Sequence, residues 1–198
     1  MKSKKIIGVL AFHGDVIEHI ETTKNASYNL HLDIEVVPVR TKEIIHILDA
    51  LIIPGGESTT LHKLCEREGM WEKMTQIKNI FGTCAGAIML AKTVYHKTSD
   101  QKTLELMDIE IDRNAYGRQT DSFEKDVKTS LGRIHAVFIR APRIKRVGKE
   151  VKILAVNERE TIACEQRIGN NYYLAVCFHP ELTSTMFHEY FIKKVYRI

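Results

Sequence analysis

Four short apolar runs rich in β-branched residues, each followed by a segment of helical period, constrain the first half of the chain more than any other feature. "KKIIGVLAF" (4–12), "DIEVVPVR" (33–40), "DALIIPGG" (49–56) and "NIFG" (79–82) read as strands, because such runs suit strands covered on both faces. "DVIEHIETTKNAS", "TKEIIHIL" with Thr41 as its cap, "STTLHKLCEREG" closed by Gly69, and "AGAIMLAKTVY" (85–95) read as the intervening helices. Strands alternating with helices imply a parallel sheet, since parallel neighbours need a crossover between them. After about residue 103 the pattern changes: "LELMDIEID", "SFEKDVK", "HAVFIRA", "VKILAVN", "TIACEQRI" and "NYYLAVCF" read mostly as strands, and "STMFHEYFIKKVYRI" as a closing helix. The expected fold is α/β, a doubly wound and mostly parallel sheet with antiparallel additions in the C-terminal half, in one domain spanning 1–198. Ligands of such sheets lie outside the strand carboxyl ends. The breaks "PGGES" and "GTCAG" both fall there and are expected to share a crevice.

Composition excludes several classes. A net charge of +4 is mild for 198 residues, and neither basic run, "RAPRIKRVGK" or "KKVYR", is interleaved with a stacking array of aromatics, so no nucleic-acid partner is expected. No apolar stretch approaches about 18 residues, so no membrane partner is expected either. The four cysteines (65, 84, 164, 177) form no C-x-x-C pair, which signals neither a metal nor disulfides and suits a reducing cytoplasm.

"GTCAG" places Cys84 between Gly82 and Gly86, where an apolar run gives way to a helix. Glycines permit a sharp strand-to-helix turn, as in the nucleophile elbow with sulfur in place of oxygen. The thiol is expected to stand in the open there, with the helix N-terminus favouring thiolate. A nucleophilic thiol needs a base. Of nine histidines, His179 in "CFHPEL" ends an apolar strand and is followed by Glu181; i and i+2 share a face in extended chain, so Glu181 is placed to hold one imidazole nitrogen. The expected oxyanion donors are the amide of Ala85 and one amide of Gly55–Gly56, whose lack of side chains allows close approach to substrate.

"PGGESTTL", "GTCAGAIMLA", "RNAYGRQTDSF", "VFIRAP" and "CFHPELT" together resemble the glutaminase subunit of two-protein pyridoxal 5′-phosphate synthase, a class I glutamine amidotransferase family. "GTCAG" with "HPE" is shared by class I glutaminases generally; the other motifs are specific to this family. The resemblance implies a flavodoxin-like sheet and hydrolysis of L-glutamine to glutamate and ammonia. No cofactor is implied. The ammonia would pass to a barrel-fold synthase subunit in a hetero-oligomer. It assigns Cys84 as nucleophile, His179 as base and Glu181 as its orienter, and glutamine contacts to Gly56, Glu57, Ser58, Arg113, Ile139 and Arg140. One departure stands out: His13 in "AFHGDV" replaces the family's usual Gln.

Two other readings remain open on sequence: a stand-alone cysteine hydrolase on the same elbow, and a binding module with a vestigial site.

Overall fold

The computed structural model describes residues 4–113 and 122–198; most of "RNAYGRQTDSF", from Asn114 to Asp121, lies outside them. The first half alternates as the apolar runs dictate. Strands β1 (Lys5–Leu10), β2 (Ile34–Val39), β3 (Ala50–Ile53) and β4 (Asn79–Thr83) are joined through α1 (Val16–Asn29), a 3-10 turn (Lys42–Ile47), and α2 (Ser58–Arg67) followed by the short α3 (Trp71–Met74). After the elbow come α4 (Ala85–Leu90) and eight more strands. These are β5 (Ala91–Tyr95), β6 (Met107–Asp112), β7 (Phe123–Thr129), β8 (Gly132–Phe138), β9 (Arg143–Val147), β10 (Val151–Asn157), β11 (Glu160–Ile168) and β12 (Asn171–Val176). Helix α5 (Met186–Tyr196) closes the described chain.

The main path of the sheet runs β2-β1-β3-β4-β12-β11-β10-β7-β8, with β5, β6 and β9 branching from it. β2, β1, β3, β4 and β12 are mutually parallel, and β12 turns antiparallel to β11. Ile7, Val9, Ile52, Ile53, Phe81, Leu174 and Val176 are fully buried, the result of covering both faces of the central strands. α1 and α5 lie together on one face, where Phe191 packs on Phe81 with ring centroids 5.5 Å apart.

Several segments differ from their sequence expectation. "AGAIMLAKTVY" is not one helix: it breaks at Ala91, whose strand pairs in parallel with Met107. The Leu104 and Leu106 amides bond the Met89 and Leu90 carbonyls, so tertiary partners end the helix against its own propensity. "NYYLAVCF" joins the parallel set rather than the antiparallel additions. "RIKRV" inside the basic run is strand β9, and α3 gave no distinct signal. Thr41 precedes the 3-10 turn without a side-chain cap bond.

Candidate active site

β3, β4 and β12 are neighbours, in register at Ile53↔Gly82 and Thr83↔Val176. Their carboxyl ends therefore deliver Gly55, Cys84 and His179 side by side. The elbow is as tight as its glycines permit: a Cβ on Gly86 would collide with the Ile53 carbonyl, and one on Gly82 with the Gly86 backbone. Cys84 has φ 48° and ψ −105°, a sparsely populated conformation of the kind that costs about 1–3 kcal/mol and clusters at functional sites. Its amide is anchored to the Val176 carbonyl at 2.8 Å. Ala85 begins α4, so its N–H has no partner within the helix.

The thiol does not stand in the open, contrary to the expectation from the elbow. Cys84 is 6% exposed, and its Sγ lies 3.8 Å from the Ile139 carbonyl oxygen. The cover is the turn after β8, where Arg140 holds φ 47°. Two left-handed non-glycine residues thus meet across the site.

His179 Nδ1 lies 2.8 Å from Glu181 Oε1, and both side chains are buried. Asp15 Oδ2, at the start of α1, lies 2.9 Å from the same nitrogen. Nδ1 therefore carries the proton and Nε2 is free to accept one; Nε2 is buried and makes no hydrogen bond among the described residues. Burial alone would lower the pKa of His179, but the Cys84 sulfur and the Glu181 carboxylate outweigh it and raise the imidazole to about 10, so a proton passed from Cys84 to Nε2 is held there near neutral pH. Burial would likewise raise Glu181, yet His19 and His179 hold its carboxyl well below the usual range. The Gly55 Cα packs on this ring: a Cβ there would come 2.5 Å from His179 Cε1. Gly56 has φ 119°, and its space is closed by the ring of His13.

A second cluster adjoins the first. Glu57 caps α2 through the Thr59 and Thr60 amides (3.0 and 2.7 Å) and pairs with Arg113. Arg113 Nη1 also donates to Thr59 Oγ1 (2.8 Å) and Gln101 Oε1 (2.9 Å), and Gln101 Nε2 donates to Ser58 Oγ (2.9 Å). Glu57, Ser58 and Arg113 are thus joined, while Arg140 is exposed and makes no ion pair among the described residues. Gln101, Asp15 and His19 were not singled out by sequence. Gln101 sits in the polar run "TSDQKT", which reads as loop and gives no sign that this side chain is 1% exposed.

The other thiols contrast with this setting. Burial pushes Cys65 and Cys164 up to about 12 and Cys177 well above its ordinary value, so these three stay protonated. Each is expected to be replaceable by Ser or Ala at a cost in stability alone, checked by melting and by activity.

Buried His188 is lowered to about 3, above all by desolvation. The unfolded chain takes up that proton near pH 6.5 and the folded chain does not, so this group removes stability as pH falls from about 6.5 toward 3. His188→Phe is expected to flatten the acid side by up to about 1.4 kcal/mol per pH unit. Thermal melts of both proteins between pH 4 and 8 check this; parallel curves would exclude it.

Comparison with known proteins agrees over nearly the full length. The model of the SNO glutamine amidotransferase family matches residues 9–197. The "Pyridoxal 5′-phosphate synthase subunit PdxT" of Pyrococcus horikoshii is 46% identical over 197 residues, covering 96% of this chain and 98% of that protein. The protein of the same name from Methanospirillum hungatei is 45% identical, covering 98% of each. A crystal structure of a glutamine amidotransferase superposes with a TM-score of 0.81 at 40% identity, covering 96% of this chain and 98% of that one. A GH42 β-galactosidase superposes with a TM-score of 0.62 at 10% identity over 30% of its own length, a likeness of fold alone.

Proposed function

The chain belongs to the SNO glutamine amidotransferase family, and on that premise we propose that it is the glutaminase subunit of a pyridoxal 5′-phosphate synthase. It hydrolyses L-glutamine to L-glutamate and ammonia and hands the ammonia to a synthase subunit of barrel fold. The observation that best supports the chemistry is the convergence of Cys84, His179 and Glu181 at the ends of adjacent strands, with His179 Nδ1 2.8 Å from Glu181 Oε1.

The steps follow from these groups. His179 Nε2 takes the Cys84 proton and the thiolate attacks the side-chain amide carbon, placing negative charge on the carbonyl oxygen. Donors for that oxygen are the Ala85 amide and the Gly55–Gly56 segment; one such donor is worth about 3–4 kcal/mol. The imidazolium returns its proton to nitrogen as the C–N bond breaks and ammonia leaves. Water then gives a proton to His179 and its oxygen to the acyl carbon, and the C–S bond breaks to release glutamate and restore Cys84. Arg113 and Glu57 offer charges opposite to the α-carboxylate and α-ammonium of glutamine. Gly56, Ser58, Ile139 and Arg140 form the remaining walls. Because Ile139 covers the thiol and Arg113 is paired with Glu57, glutamine enters by displacing these contacts.

Glutamate formation by the purified chain, alone and with its synthase subunit, tests the reading. Turnover that rises when the partner is added supports it. No glutamine turnover in either arm, or partner-independent cleavage of peptides, would overturn it. Gly55→Ala checks the packing on the base: the new methyl displaces either the ring or the loop, and kcat is expected to fall at least about 100-fold, the scale of one lost oxyanion donor. Wild-type turnover in that variant would remove Gly55 from the site.

A further inference from the structure

Behind the His179–Glu181 pair runs a buried chain of polar groups that the steps above do not use. Glu181 Oε1 lies 3.2 Å from His19 Nε2, and both side chains are fully buried. The same nitrogen is 3.0 Å from Thr83 Oγ1, the residue just before Cys84. On the other side of the ring, His19 Nδ1 is 2.9 Å from His188 Nε2. His19 comes from α1 and His188 from α5, so both helices reach the acid through these two rings.

The pattern fixes the protons. A lone pair on His19 Nε2 would repel the carboxylate, so Nε2 carries hydrogen. In the tautomer with hydrogen on Nε2, His19 Nδ1 is an acceptor, which His188 Nε2–H satisfies at 2.9 Å. His188 Nδ1 is left as a buried lone pair with no hydrogen-bond partner among the described residues. His188 Nε2–H donates to His19 Nδ1, the Nε2–H of His19 donates to Thr83 Oγ1 and faces Glu181 Oε1 at 3.2 Å, and Glu181 receives from His179. Glu181 Oε2 has no hydrogen bond among the described residues, so the fixing of this carboxylate depends on Oε1.

We infer that His19 is a positioning residue: it holds the Glu181 carboxylate where that group orients His179, with His188 setting its tautomer. The inference rests on the glutaminase reading of the site. The charged and titratable groups around the Glu181–His179 pair are His19 and Asp15 from α1, His188 from α5, and Cys84 from the elbow. From β8, the Val137 carbonyl accepts the His179 amide at 2.9 Å.

The test compares His19→Leu, His19→Gln and wild type, each assembled with the synthase subunit. Leu matches the ring in bulk but donates nothing, whereas Gln carries an amide N–H to about the position of Nε2. For His19→Leu, kcat is expected to fall roughly 10- to 100-fold, the range for one hydrogen bond to a charged group, with KM nearly unchanged. The alkaline limb of kcat/KM is expected to move to lower pH, because a loosened Glu181 holds the His179 proton less firmly. His19→Gln is expected to restore most of kcat and the position of the limb. Equal kcat and an unmoved limb in folded His19→Leu would overturn the inference. So would equal losses in both variants that track their melting temperatures, which is the mark of packing alone. An inactive wild-type complex would instead count against the glutaminase reading.

Discussion

Cys84→Ala is expected to reduce glutamine turnover to background, a loss on the order of 10⁶-fold, because no other group can take the acyl carbon once the nucleophile of a triad is gone. The fold is expected to survive. The substitution removes one small buried group, worth about 1 kcal/mol of transfer energy, and leaves the Gly82 and Gly86 contacts in place. Cys84→Gly adds an independent check on the backbone. At φ 48° and ψ −105° glycine is relieved of the Cβ penalty, so that variant is expected to melt above Cys84→Ala while being equally inactive. Residual turnover within a few-fold of wild type in either would return "GTCAG" to a packing role.

Glu181→Gln is expected to cost on the order of 10³- to 10⁴-fold in kcat with little change in KM, as when the acid of a comparable triad loses its charge. Glu181 Oε1 receives from His179 at 2.8 Å and lies 3.2 Å from His19 Nε2. A neutral amide in its place accepts one of them weakly or opposes an N–H to an N–H. The cost falls on orientation of the base and on the imidazolium formed during attack, neither of which touches glutamine. Because the two histidines keep Glu181 ionised far below neutral pH, the defect is expected to be the same from about pH 6 to 8. Steady-state kinetics over that range decide it; a rise in KM with kcat preserved would make Glu181 a binding residue.

The parallel half of the fold and the elbow were legible because their causes are local. β-branched runs set β1 to β4, and glycines mark two places too close for a side chain, Gly86 against the Ile53 carbonyl and Gly55 against the His179 ring. What was not legible comes from residues remote in sequence. Ala91 continues a helical pattern, and only the pairing of its strand with Met107 ends it. The cover on Cys84 is supplied from 55 positions away by the Ile139 carbonyl. His19 looks like any polar residue on an amphipathic helix until the packing of α1 and α5 over the sheet brings it to Glu181 and His188. Gln101 is hidden for the same reason, since its partners Ser58, Thr59 and Arg113 lie on other segments.

On the proposed reading one thiol, Cys84, carries the acyl group of glutamine. Inactivating the assembled enzyme with a glutamine-like electrophile and locating the adduct by peptide mass spectrometry checks this. Modification is expected at Cys84 alone, in step with loss of glutaminase activity, slowed by excess glutamine and greatly slowed in Glu181→Gln. Activity lost with the adduct on Cys65, Cys164 or Cys177, or Cys84 fully modified with activity retained, would contradict it.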